Sequence, residues 1–211
     1  MTAQLYCFGE SGNAYKAALT MALAGHDWEP VWVDFFHGET RTPEFRALNE
    51  MGEVPVYVDG AFTLTQSGMI QDYIASKTGK LAGRSADERR EVLRWIFWDN
   101  QKLSGMAGPA RFLANFLPPE KRPEGAIPFL QGRLQAALKV LEGRLDGRDW
   151  IATEAPTIAD CACCGYLYYP EPFGFERAEW PNIDAWLARL AALPGWKHPY
   201  DLMPGSPADR A

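Results

Sequence analysis

Residues 52–74, GEVPVYVDGAFTLTQSGMIQDYI, constrain the fold more tightly than any other stretch of the chain. Two short apolar runs, 56–58 and 62–65, flank Asp59-Gly60, a pair that favours the tight turn of a hairpin, so the runs predict antiparallel strands. The second run leads directly into a helix predicted over 67–78, with Gly79 as its stop signal. Val54-Pro55 stands at the start of the first strand and Gln66-Ser67-Gly68 at the mouth of the helix. Unpaired N–H groups and the helix dipole favour an anion at such a mouth.

Upstream, 4–8 is an apolar run suited to a buried strand, and Gly9-Glu10-Ser11-Gly12 is a turn. From Asn13 the spacing of Ala14, Ala17, Ala18, Met21 and Ala22 is helical, with Gly25 as a stop. Val31 and Val33 mark a second strand, 37–41 a polar loop, and Thr42-Pro43 an N-cap with proline at the first helical position. The order βαβαββα joins the first two strands by a helical crossover, which makes them parallel, while the hairpin is antiparallel. The expectation is an α/β domain, 1–79, with a mixed four-stranded sheet.

The composition shifts near Gly79, and 80–84 is expected to be a linker. Residues 85–211 then read as an all-helical domain. Ser85 with Glu88 and Thr157 with Asp160 are capping signals. A long helix through Val92, Trp95 and Ile96 is expected to break between Gly105 and Pro109 and to resume at Arg111. Spacings of three and four from Ile127 to Leu145 mark another helix, and Pro181 opens the last long one; Pro204 onward reads as a loose tail.

A net charge of -6 disfavours nucleic acid or an acidic membrane as partner, since both need clustered Lys and Arg. No apolar run is long enough to span a membrane, and MTAQLYCF lacks a charged region followed by a long apolar one, so the expected location is cytoplasmic. Cys161, Cys163 and Cys164 lack the paired spacing of a zinc site and Cys7 lies in an apolar strand; the expectation is core thiols and no metal.

Three elements are candidates for chemistry. Ser11 and Asn13 flank the start of the first helix, where N–H dipoles favour a thiolate and a hydroxyl or amide can donate to it; the alternative is that one of them only caps the helix. Val54-Pro55, if cis, turns the Val54 N–H and C=O outward for a bound peptide; the alternative is an ordinary strand-initiating proline. Ser67 and the helix mouth can hold a carboxylate and Gln66 offers a donor and an acceptor, with capping as the alternative. In the deduced sheet all three converge at one end, a layout that fits a short thiol peptide with an acidic end.

The combination of NEMGEVPVYVDG, LTQSGMIQDYI, SGNAYK and APTIADCACCGYLYY, spread over nearly the whole chain, resembles the cytosolic glutathione transferase family, and SGNAYK looks most like bacterial members with a Ser/Thr and an Asn in the first turn. The resemblance implies a thioredoxin-like first domain, an all-helical second domain, a homodimer with the active site near the domain interface, and a role in detoxification. It implies that Val54 pairs with the cysteinyl part of glutathione, that Pro55 is cis, that Gln66 and Ser67 hold the γ-glutamyl end, and that Ser11 or Asn13 faces the sulfur. His37 and Arg41 are candidates for the glycyl carboxylate, and Arg111 and Phe112 for the wall of the hydrophobic substrate site. Glutathione is then the co-substrate of a transferase acting on small electrophiles. Reduction of disulfides or peroxides by glutathione, and a non-catalytic protein of the same fold, are the alternatives. Tyr6 within the strand and Tyr15 inside the helix depart from tyrosine-type members, and the first turn has no cysteine.

Overall fold

Leu5 and Cys7 lose all contact with solvent, because strand β1 (Ala3–Cys7) is flanked on both sides by other strands. The computed structural model describes residues 2–205. Strand β1 pairs in parallel with β2 (Trp28–Trp32) and antiparallel with β3 (Val56–Asp59). Strand β3 pairs antiparallel with β4 (Phe62–Thr65), completing the mixed order β2-β1-β3-β4. Strand β2 starts three residues earlier than Val31. The parallel register Ala3↔Trp28 to Cys7↔Trp32 sets its limits, and Pro30 is tolerated because β2 is an edge strand.

Helix α1 (Gly12–Ala24) covers one face with α3 (Ser67–Thr78). Gln71 Nε2 donates to Thr20 Oγ1 at 3.1 Å between the two helices, among fully buried Leu19, Met21, Ile70 and Ile74. Gly25 and Gly79 end these helices in the left-handed conformation, at φ 65° and 69°, where a side chain is disfavoured. Helix α2 (Pro43–Leu48), capped by Thr42 Oγ1 accepting from Phe45 N–H, covers the other face. Its Phe45 packs with Val33 and Val56 against Tyr6 and Val58.

The chain forms two compact units, and the boundary differs from the expected one at the far end. Residues 2–82 and 193–205 form the first unit, and 83–192 the second. The return is made by contacts distant in sequence that leave no local signature. Tyr15 Oη donates to Lys197 O at 2.9 Å, Gly9 N–H to Pro204 O at 2.6 Å, and α9 (Pro199–Leu202) packs on α1. Pro204 is therefore held rather than loose; the rest of the expected tail, 206–211, lies outside the described residues.

The second unit is helical: α4 (Ala86–Trp98), α5 (Ser104–Asn115), α6 (Ala126–Leu145), α7 (Ile158–Cys163) and α8 (Pro181–Ala191). The expected break at Gly105–Pro109 is absent, and α5 runs through Pro109. The irregularity lies upstream, in a π-helical turn at Asp99–Leu103. There the Asn100 carbonyl comes so close that a Cβ on Gly105 would sit 2.6 Å from it, so glycine is required by proximity and does not end the helix. Buried Ser104 Oγ donates to Asp99 Oδ1 at 2.7 Å. Cys161, Cys163 and Cys164 are buried in and beside α7 and form no disulfide among the described residues. No helix among the described residues is long and apolar enough to cross a membrane.

Thr157 and Asp160 form a reciprocal capping box at α7. Asp160 is fully buried; its Oδ1 accepts from Ile151 N–H and Trp186 Nε1 and its Oδ2 from Thr157 N–H, at 2.8 to 3.0 Å. Burial pushes this carboxyl up while those donors oppose the shift. Asp160→Ala removes the acceptor of these donors and of the Thr157 hydroxyl, and is expected to lower the unfolding free energy by about 3 kcal/mol, measured by urea denaturation.

A partly exposed cluster on α4 behaves differently. Glu91 accepts from Arg94 Nε and Nη2 at 2.8 and 2.6 Å, and from Trp95 and Arg144 at 3.0 Å, and the Arg94 pair leads in lowering its carboxyl from 4.5 to about 2. A depressed carboxyl stabilises the fold above its ordinary value and loses that contribution as pH falls. The Glu91→Gln variant is expected to flatten the fall in stability between pH 4.5 and 2, read from denaturation midpoints across that range.

Candidate functional site

Register brings the candidate elements together. Tyr6 stands opposite Val56, and Val56 opposite Thr65. The C-terminal end of β1, the N-terminal end of β3 and the C-terminal end of β4 therefore lie side by side. The turn carrying Ser11, the Val54-Pro55 step and Gln66-Ser67 leave the sheet at that shared end.

Ser11 is the N-cap of α1. Its Oγ accepts from Ala14 N–H at 3.1 Å, so its hydroxyl proton remains available to donate. Among the described residues no hydrogen bond takes up the N–H of Gly12 or Asn13, and the Asn13 side chain is exposed. Capping and donation are thus compatible at Ser11. Gly12 contributes an open amide that no residue type in the turn announces.

The Val54-Pro55 peptide bond is cis. Pro55 is buried, Val54 is half-buried, and among the described residues no hydrogen bond takes up the Val54 N–H or C=O. Gly52, at φ 65°, brings this loop against the turn at 39–41. A Cβ there would meet Thr40 O at 2.9 Å. The turn carrying Arg41 is thereby placed beside 52–54, with the Arg41 side chain exposed. His37 is exposed and its Nδ1 lies 2.8 Å from Asp34, which orients the ring and leaves Nε2 open.

Gln66 carries the strained backbone of the site. It has φ 68° and ψ 115°, rare for a residue with a side chain, and makes no side-chain cap to α3. Its Nε2 lies 3.0 Å from Met51 Sδ and donates weakly toward Glu53 Oε2 at 3.5 Å. Ser67 is buried, and no hydrogen bond among the described residues takes up the N–H of Ser67 or Gly68. Glu53 reads from sequence as carrying the wrong sign for an anion. Its contact with Gln66 places it in the same cluster.

Beside the Ser11 turn is a cavity of about 380 Å³, lined by Phe8, Glu10, Trp32, Asp34, Phe36 and their neighbours, with Gly205 from the returning tail. Phe8 and Phe35 stack at 4.8 Å, and Phe36 meets both edge-on. The sequence signal was the aromatic run at 35–36, which had no place in the predicted elements. Arg111, expected on a substrate wall, is 2% exposed. Its Nη2 is 2.7 Å from Glu171 Oε2 and its guanidinium lies 3.9 Å from the Tyr169 ring centre, so it serves the interior of the helical unit. Phe112, half-buried on the next position of α5, has its ring centre 6.2 Å from that of Phe116. Cys7, inside β1, is pushed up to about 12 by burial and is no thiolate near neutral pH.

Residues 1–76 match the family described as glutathione S-transferase, N-terminal domain, and residues 110–194 its C-terminal domain. The chain belongs to the glutathione S-transferase family. Its sheet-containing unit is the family's thioredoxin-like domain and its helical unit the C-terminal domain. A glutathione S-transferase structure from Xanthobacter autotrophicus Py2 is 33% identical, with a TM-score of 0.86 and 99% of each chain covered. The disulfide-bond oxidoreductase YfcG of Escherichia coli K12 is 29% identical over 194 residues, 89% of each chain. A glutathione transferase from Burkholderia graminis, whose structure carries two glutathione molecules per subunit, is 29% identical with a TM-score of 0.83, covering 92% of this chain and 85% of that one.

Within this family member, the strain at Gln66 has a measurable consequence. Gln66→Gly is expected to raise the unfolding free energy by about 1 kcal/mol, since glycine adopts this backbone without a Cβ penalty. Urea denaturation without ligand checks it.

Proposed function

We propose that the protein is a glutathione transferase that binds glutathione across the open end of its sheet, stabilises the thiolate and directs it at a small electrophile. The observation that carries this reading is the alignment of two open helix mouths, at Gly12-Asn13 and Ser67-Gly68, on either side of the unpaired Val54 main chain. That spacing of donor, backbone strip and donor suits a thiol peptide with a carboxylate end. Val54 pairs with the cysteinyl part, Ser67 and Gln66 hold the γ-glutamyl end, and Arg41 serves the glycyl carboxylate.

Magnitudes favour Ser11 as the main sulfur contact. Bringing a thiol from about 8.5 to neutral pH needs about 2 kcal/mol. A helix dipole at a surface supplies only about 0.3–1 kcal/mol, whereas a hydrogen bond to a charged group is worth about 1.5–3 kcal/mol. The Ser11 hydroxyl and the open Gly12 and Asn13 amides together meet the requirement. The thiol proton leaves to solvent, a carbon–sulfur bond forms, and the leaving group departs with the electron pair of the bond it breaks. The protein acts as a cytoplasmic homodimer in detoxification on this reading; the dimer is to be read from its mass in solution.

The likeness to a disulfide-bond oxidoreductase favours a second reading, in which the same thiolate attacks a disulfide. One sulfur of the disulfide bonds to glutathione sulfur, and the other leaves as a thiolate that takes up a proton. No protein thiol is needed, consistent with the burial of Cys7.

Calorimetry is expected to register glutathione binding, and its absence removes both readings. Ser11→Ala is expected to lower kcat/KM about 100-fold and Asn13→Ala by less. A panel of an aryl halide, a mixed disulfide and an organic hydroperoxide decides between conjugation and reduction by which turns over fastest.

A further inference from the structure

We infer that Glu53 is the acceptor for the α-ammonium of the bound γ-glutamyl group, so that the site selects thiol peptides with a free amino group at that end. The inference rests on the glutathione reading and adds to it a group that the ligand must carry.

A γ-glutamyl end is a zwitterion, with a carboxylate and an ammonium on one carbon. The mouth of α3 suits only the first of these. The N–H groups of Ser67 and Gly68 and the dipole of the helix favour negative charge and disfavour a cation. The ammonium therefore needs an acceptor outside the helix mouth. It brings three donors and accepts nothing, and a carboxylate is the strongest partner for it.

Glu53 is that carboxylate. Its Oε2 stands 3.5 Å from Nε2 of Gln66, the residue directly before Ser67. A contact of that length leaves the carboxylate free for a stronger donor, and among the described residues no ion pair takes it up. Arg46 of α2 also reaches this loop, but its Nη1 donates to Glu50 O at 3.1 Å.

The position of Glu53 is fixed from behind. Asn49 is 4% exposed and uses both ends of its amide on the loop: Nδ2 donates to Glu53 O at 2.7 Å, and Oδ1 accepts from Met51 N–H at 3.1 Å. The main chain at 51–53 is thus pinned to a buried side chain. The same loop sets the Gln66 amide. With Nε2 3.0 Å from Met51 Sδ and directed toward Glu53, the donors of Gln66 are turned to the loop, and Oε1 is the atom left to accept. Two acceptors, Gln66 Oε1 and the Glu53 carboxylate, therefore accompany two donors, the amides of Ser67 and Gly68. That set complements a carbon bearing both a carboxylate and an ammonium. It also gives a reason for an acid beside a site for an anionic peptide, since the charge answers the one cation that the peptide carries.

The test uses calorimetry on three compounds: glutathione, its desamino analogue, which keeps the carboxylate and lacks the amine, and its glycyl ethyl ester, which keeps the amine and masks the other carboxylate. The desamino analogue is expected to bind about 10-fold weaker than glutathione. Glu53→Gln is expected to weaken glutathione and the ester alike by about 5-fold and the desamino analogue by less than about 2-fold. Glu53 is exposed, and thermal melting of the variant verifies its fold. Three results each overturn the inference and leave the glutathione reading intact: desamino binding as tight as glutathione, a penalty for the missing amine that is unchanged in the variant, or a variant that tightens glutathione without affecting the ester, which would place Glu53 against the glycyl carboxylate. Binding of none of the three compounds removes the glutathione reading and this inference with it.

Discussion

The antiparallel pairing of β1 with β3 is the interaction on which the rest of the first unit depends. It sets Tyr6 opposite Val56, and through β4 it sets Thr65 in the same row. The three candidate elements follow within a few residues of that row: Ser11 past the end of β1, Val54 before the start of β3, Gln66 and Ser67 past the end of β4. A slip of one residue would turn Leu5 and Cys7 to the opposite face and move the two helix mouths out of line. The buried alternation of β1 therefore fixes the site as well as the core.

Local signals made much of this legible in the sequence. Asp59-Gly60 marked the hairpin, Thr42-Pro43 and Thr157-Asp160 marked helix starts, and Gly25 and Gly79 marked helix ends, because each rests on chemistry within four residues. The limits of β2 depended on partners in β1. The path of Pro109 through α5 depended on the π-helical turn before it. The return of 193–205 to the first unit depended on Tyr15 and Gly9, far away in sequence. The partners of Arg111 were hidden for a related reason: spacing put it on a helix, but Glu171 and Tyr169 are brought up to it by the fold.

The open groups of the site were only partly legible. A side-chain motif identifies Ser11 and Ser67, but an unpaired amide at Gly12 or Gly68 has no residue type to announce it. The strain at Gln66 is likewise invisible in composition. A backbone at φ 68° persists where surroundings determine it, and here the end of β4 and the start of α3 do so on either side. The strain turns the chain so that the amides of α3 face the row set by β1 and β3. Positioning at this end of the sheet is done by main chain more than by charge.

The burial of Cys7 adds the last step. The thiol lies at the end of β1, close in sequence to the first turn, yet desolvation raises it to about 12. Stabilising forces available at a helix mouth amount to a few kcal/mol, enough to hold a thiolate in the open and too small to recover one from inside the sheet. The chain therefore separates two tasks that a cysteine in the turn would combine. Its own sulfur packs the core, and the turn is left with a hydroxyl and open amides suited to a sulfur brought by a ligand. Conjugation and disulfide reduction share this first requirement. They part only at the second reactant.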